Sequence, residues 1–111
     1  DSQFPWLILV PRINDLAELH ELDDAQTVQY VAESRLTSKV LQHVFTPYKL
    51  NVAALGNVVR QLHIHHVARF ETDVAWPAPI WGRQAAVPYS AEALAANLEQ
   101  LQSAFSMEEK L

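Results

Sequence analysis

The sequence predicts one compact domain that mixes strands with helices. Short apolar runs rich in strand formers occupy Pro5 to Val10, Lys49 to Leu55 and Val58 to Phe70. Two longer segments, Asp23 to Phe45 and the stretch after Ser90, repeat apolar residues at helical spacing. The chain has 111 residues, 50% hydrophobic and 19% charged, which suits a single core with no disorder or stapling.

The run Pro5-Trp6-Leu7-Ile8-Leu9-Val10 is stopped by Pro11 and reads as a buried strand. A loop through Asn14-Asp15 follows. Asp23 then stands three residues before Gln26, the capping arrangement of a helix that runs to about Phe45 and is ended by Pro47. Val28, Val31, Ala32, Leu36, Val40, Val44 and Phe45 form its apolar stripe, which must lie on a sheet or on a partner. Lys49 to Leu55 prefers strand, Gly56-Asn57 signals a turn, and a second strand is expected from Val58 to about Phe70, so the two can pair as a hairpin. In Trp76-Pro77-Ala78-Pro79-Ile80-Trp81-Gly82 two close prolines disallow a helix interior or a central strand, which leaves an aromatic loop. Ser90 caps a final helix with a stripe of Leu94, Leu98, Leu101 and Phe105, ending in the polar tail Glu108-Glu109-Lys110. There are no repeats and no low-complexity tract.

Composition removes many functions. With no cysteine the chain holds no disulfide, thiolate nucleophile, zinc ribbon or iron–sulfur cluster, which fits a reducing cytoplasm. Its apolar runs fall far short of the roughly 20 residues a membrane helix needs, and no basic segment precedes an apolar signal, so a soluble cytoplasmic protein with no membrane partner is expected. Thirteen acidic against eight basic residues give a net charge of -5, which argues against binding nucleic acid by counterion release. A small anionic ligand needs only local positive groups. Arg60 and Arg69 flank the histidine cluster, although they read equally well as solvated residues at strand ends. With two glycines, Gly56 and Gly82, the Gly-rich phosphate cradles of P-loop, dinucleotide-binding and kinase folds cannot be built. Neither G-x-S-x-G nor H-E-x-x-H occurs.

What remains is Gln61-Leu62-His63-Ile64-His65-His66-Val67-Ala68-Arg69. On a strand, Gln61, His63, His65, Val67 and Arg69 share one face, and Leu62, Ile64, His66, Ala68 and Phe70 the other. Two imidazoles at i and i+2 in line with a Gln and an Arg serve either of two chemistries. A His-x-His pair binds zinc or iron, or one imidazole is a nucleophile while its neighbour handles phosphate oxygens. The metal reading wants a third ligand, and neither His20 nor Asp73 has a spacing that argues for it. A third alternative is that the histidines merely pack or face solvent.

The stretch Gln61 to Arg69 resembles the motif of the histidine triad (HIT) family, in which histidines alternate with hydrophobic residues along a strand. The order of elements agrees: a strand at Pro5 to Val10 ending in Pro11-Arg12, an acid-capped helix, a strand at Asn51, then the motif strand. The resemblance covers most of residues 1–82, and the Trp76 to Gly82 segment and last helix look like those of a bacterial subgroup of the Q-x-H-x-H type, diadenosine tetraphosphate hydrolase-like. It implies an α+β fold with a central antiparallel sheet, a homodimer, and hydrolysis or nucleotidyl transfer at the α-phosphorus of a nucleotide such as a dinucleoside polyphosphate or a nucleoside phosphoramidate. It implies no cofactor and no metal for the chemical step. By the same resemblance His63 takes the middle, nucleophilic position, His65 the last position, where it holds phosphate oxygens or helps the leaving group, and Arg69 matches a basic substrate-binding residue after the motif.

The chain departs from the family pattern in several places. Gln61 stands where the first histidine belongs and can hydrogen-bond but not titrate. His66 replaces an apolar residue and is expected to pack. In place of a longer loop with Gly-Gln and a hydroxyl residue there is Gly56-Asn57-Val58-Val59, in which Asn57 supplies an amide to the substrate and no serine is near. The resemblance also implies a strand, and often a helix, ahead of Phe4, with Asp1 as the candidate for the ribose hydroxyls. The expected layout is a HIT-like domain at residues 1–82, with a C-terminal loop and helix at 83–111 packed on it. The competing expectations are a HIT module that binds nucleotide without turnover and a His-x-His metal-binding protein.

Overall fold

The structure is a computed structural model that describes residues 1–109; Lys110, the end of the expected polar tail, lies outside the described residues. The elements run β1 (Trp6–Leu9), a single 3₁₀ turn (Leu19–Glu21), α1 (Asp24–Phe45), β2 (Lys49–Ala53), β3 (Ile64–Arg69) and α2 (Ala91–Glu108). The described residues form one antiparallel sheet of order β1-β3-β2, an α+β arrangement as expected. Trp6 pairs with Val67 and Ile8 with His65 across one ladder, and Asn51 with Val67 and Ala53 with His65 across the other. All six residues of β3 are buried, because strands flank it on both sides and material covers both faces.

β1 is shorter and less buried than expected. It is an outer strand of this sheet, and Ile8 is largely exposed. The second strand also starts six residues later than the Val58 expected for it: β3 begins at Ile64, and residues 56–63 are an open loop with Val58 97% exposed. The physical reason lies in the ladder. β2 ends at Ala53, opposite His65, so the β-branched pair Val58-Val59 has no strand to lie against, and strand preference without such packing is weak. Gly56 turns the chain at a φ of +72°. The loop is then tied to the stretch after β1, where Leu62 N donates to Leu16 O at 2.7 Å and Leu62 packs with Leu16, Leu22 and Ile64. β2 and β3 do pair as antiparallel neighbours, but through this wide loop rather than a tight turn.

α1 starts where the capping pattern places it: Asp23 accepts from Gln26 N at 2.8 Å, and Gln26 Oε1 accepts from Asp23 N at 2.9 Å. It stops at Thr46, in the left-handed region at a φ of 49°, just ahead of Pro47. Only the C-terminal half of its apolar stripe is covered. Val40 packs with Leu101 and Ala104 of α2 and with Leu7, Leu36, Val44 and Phe45, whereas Val28 and Val31 are 71% and 56% exposed. α2 is capped by Ser90, whose Oγ accepts from Ala93 N at 3.1 Å, and it buries Leu101 and Ala104 while leaving Leu94 and Leu98 largely exposed. The opposite face of the sheet, which carries Val67, packs with Phe4, Ala75 and Ile80 and with the partly buried Trp6 and Trp81. No helix among the described residues is long and apolar enough to cross a membrane.

Candidate active site

The alternation of side chains across β3 sets the site. His63, just ahead of the strand, and His65, within it, stand side by side with ring centroids 5.1 Å apart at an interplanar angle of 71°. Each imidazole is held through its Nδ1, and the two are held in opposite ways. His63 Nδ1 lies 2.7 Å from the backbone oxygen of Gln61. A carbonyl only accepts, so this nitrogen carries the proton and Nε2 keeps its lone pair. His65 Nδ1 lies 2.9 Å from the indole Nε1 of Trp6. An indole N–H only donates, so here Nδ1 carries the lone pair and Nε2 the proton. The neutral pair therefore presents one bare nitrogen and one N–H. Burial lowers the pKa of His65, with smaller contributions from the charges of His63 and His66, and this favours its neutral form.

Trp6 and Trp81 flank His65, with ring centroids 5.5 Å and 5.3 Å from it, and meet each other edge to face at 6.2 Å. Neither tryptophan was assigned to the site from sequence. For Trp6 the signal was the period-2 rule on β1, which places it beside Ile8, but the strand register that brings it to the histidines is not written in local sequence; Trp81 lies on the loop after β3, where no such rule applies. Both tryptophans line a cleft of about 440 Å³ together with Asp1, Ile8, Ile80 and Gln84. Asp1 Oδ1 accepts from Gln3 N, from Gln3 Nε2 and from Val87 N at 3.0, 3.2 and 3.3 Å, which ties the start of the chain to the segment before α2.

The remaining residues singled out from sequence are placed differently. Gln61 turns its side chain away from His63 and donates from Nε2 to Ile13 O at 3.0 Å, so its link to His63 runs through its backbone oxygen. Asn57 stands exposed on the 56–63 loop and is absent from the residues that line the small hollow beside His63, which include Leu55, Gly56 and Leu62. Arg69 departs furthest from expectation. It is 1% exposed, donating from Nε and Nη2 to Asp73 at 2.8 and 3.1 Å, from Nη1 to Asn51 Oδ1 at 2.8 Å and from Nη2 to Ala78 O at 2.8 Å. Its guanidinium carbon lies 5.5 Å from the Trp76 ring centroid and 6.0 Å from that of Phe4. With four donor contacts committed inside the protein, Arg69 fastens the 70–82 loop to the sheet and is not presented to a ligand. Asp73, weighed from sequence only as a metal ligand, is its counter-ion, and the i, i+4 spacing was the available signal. His66 packs on the opposite face, as expected, with Nε2 2.7 Å from Ser34 Oγ of α1 and Nδ1 3.3 Å from Ile64 O. Among the described residues no three His, Cys, Asp or Glu side chains are grouped as metal ligands.

The model of the HIT domain family matches residues 1–72. The chain belongs to the HIT domain family. Among solved structures, a histidine triad protein from Marinobacter aquaeolei VT8 is 43% identical, with 96% of this chain and 78% of that one covered and a TM-score of 0.93. A histidine triad protein from Bradyrhizobium japonicum is 39% identical over 95% of this chain and 78% of that one, with a TM-score of 0.92. One from Sinorhizobium meliloti 1021 is 38% identical over 93% and 76%, with a TM-score of 0.90. No curated protein matches the chain. HIT membership supports nucleotide binding, or hydrolase or transferase activity, in general.

Proposed function

We propose that this HIT domain is a nucleotide hydrolase or nucleotidyl transferase that acts at an α-phosphorus, on substrates such as dinucleoside polyphosphates or nucleoside phosphoramidates. The observation that supports it is the pair of opposed tautomers: a bare Nε2 on His63 beside an Nε2–H on His65. A phosphorus centre under attack needs both, a nucleophile and a donor to the oxygens on which charge gathers. His63 Nε2 attacks the α-phosphorus, forming an N–P bond as the bond from phosphorus to the leaving group breaks, and the leaving group departs with that electron pair. Water then attacks the nucleotidyl-histidine. Its oxygen bonds to phosphorus, the N–P bond returns its electrons to His63, and the nucleoside monophosphate and a proton are released.

In this scheme Gln61 orients the nucleophile through its carbonyl, and His65 donates to a phosphate oxygen or to the leaving group. The Trp6–Trp81 cleft takes the nucleoside, with indole surface for the base and the Asp1 carboxylate for ribose hydroxyls. Asn57 is assigned an amide contact to the leaving group, which requires the exposed 56–63 loop to fold toward His63.

The test is incubation with diadenosine tetraphosphate and with an adenosine phosphoramidate, in chelator, followed by rapid acid-free quenching and mass spectrometry. Nucleoside monophosphate production and an acid-labile adenylyl adduct on His63 are expected, both absent in His63→Ala. Nucleotide binding with no turnover would replace this reading with that of a binding module, and turnover lost to chelator and restored by zinc would replace it with a metal mechanism.

A further inference from the structure

We infer that Trp6 is a positioning residue whose indole N–H locks the neighbouring His65 into the tautomer that presents Nε2–H to the substrate. A neutral imidazole left to itself divides its proton between two nitrogens, and only one of the two forms points a donor outward from this strand. Here Nδ1 accepts the Trp6 N–H at 2.9 Å, and a proton bonded to Nδ1 itself would point into the indole proton. The ring cannot easily turn to escape, because Trp81 stands edge to face against it at 5.3 Å and His63 at 5.1 Å on another side. Burial of His65 disfavours the imidazolium, so the donor has to be supplied by tautomer choice and not by charge. Trp6 meets that need with the one aromatic side chain whose polar group donates and never accepts.

β1 and β3 fix the arrangement. Ile8 pairs with His65 and Trp6 with Val67 in one antiparallel register, which sets the indole diagonally across from the imidazole on the same face of the sheet. The role in turnover rests on the proposed contact between His65 and a phosphate oxygen. The tautomer itself does not.

Long-range proton–nitrogen correlation on the ¹⁵N-labelled protein at neutral pH reads the tautomer directly, with His65 assigned by its loss in His65→Gln. In the wild type His65 Nδ1 is expected at the unprotonated shift and Nε2 at the protonated one. Trp6→Phe keeps an aromatic ring against His65 and removes the N–H together with the five-membered ring that carries it, so both nitrogens are expected to move toward averaged shifts while those of His63 stay put. Turnover should fall about three- to tenfold, the share of one neutral hydrogen bond. Protonated Nδ1 on His65 in the wild type, a reading that needs no variant to fold, would overturn the inference, as would unchanged His65 shifts in a folded Trp6→Phe protein. The locked tautomer in a wild type that turns over no nucleotide would leave the inference standing and remove the proposed function instead.

Discussion

Arg69 and Asp73 form a two-point ion pair inside the protein, with Nε donating to Oδ2 at 2.8 Å and Nη2 to Oδ1 at 3.1 Å. The same carboxylate accepts from Phe70 N and Ala75 N at 3.1 Å each, so one acid organises the turn that follows β3. Removing either partner strands the other charge. Arg69→Met should destabilise the fold by about 3 to 5 kcal/mol, the cost typical of breaking a buried pair, while leaving KM for nucleotide unchanged wherever the variant is folded. A raised KM at full stability would instead return Arg69 to the substrate. The hydrogen bond from Arg69 holds the Asp73 carboxyl below the usual carboxylate range. Its stabilising contribution is therefore present above pH about 4 and is lost as the pH falls toward the depressed value. Acid denaturation of Asp73→Asn should be correspondingly less steep.

His66 gives a pH effect at a higher window. Burial lowers its pKa, against a smaller opposing effect of the Ile64 carbonyl, so the folded protein prefers the neutral ring. A depressed folded pKa means that stability is fully present above the unfolded value of about 6.5 and falls as the pH drops below it. His65, lowered for the same main reason, adds to the loss with the same sign. Chemical denaturation between pH 8 and pH 5 should show stability decreasing. His66→Leu combined with Ser34→Ala, which removes both polar partners, should be near neutral at pH 8 and should flatten part of the slope. An equally steep slope in the double variant would place the titration elsewhere.

Local sequence carried most of the element types and both helix starts, because Asp23-x-x-Gln26 and Ser90 act within one turn of their own chain. The imidazole face was legible for the same reason: two-residue alternation is a local rule. What escaped was set by tertiary pairing. Val58-Val59 has strand preference and no strand beside it, since β2 ends opposite His65. Arg69 reads as a free cation until the chain turns and Asp73, Asn51 and Ala78 close on it. Trp6 reaches His65 across 59 residues of sequence through a strand register that no single window contains.

The uncovered half of the α1 stripe leads to a prediction of assembly. Val28 and Val31 lie three residues apart on one side of the helix and are exposed, although the apolar pattern continues from the covered Leu36 and Val40. A second copy is the partner the family resemblance implies. Light scattering at micromolar concentration should give a dimer, and Val28→Glu with Val31→Glu should shift it to monomer by burying like charges across a two-fold axis. A wild-type monomer would end the expectation.

The three histidines at 63, 65 and 66 should separate by role when each is replaced. His63→Ala removes the atom to which phosphorus is transferred, and with it the whole two-step route, so turnover should disappear while nucleotide still binds. His65→Ala leaves the nucleophile and its Gln61 clamp in place and deletes one donor to the developing charge, which costs roughly two to three powers of ten in kcat. His66 belongs to the helix side of the sheet, bonded to Ser34, and touches neither function. His66→Ala should lower stability without changing kcat at temperatures well below its unfolding. Rates measured at one temperature at which circular dichroism finds all three variants folded decide the order. Full activity in His63→Ala would sink the covalent mechanism. A larger kcat loss in His66→Ala than in His65→Ala would mean that the catalytic face of β3 had been assigned to the wrong side of the sheet.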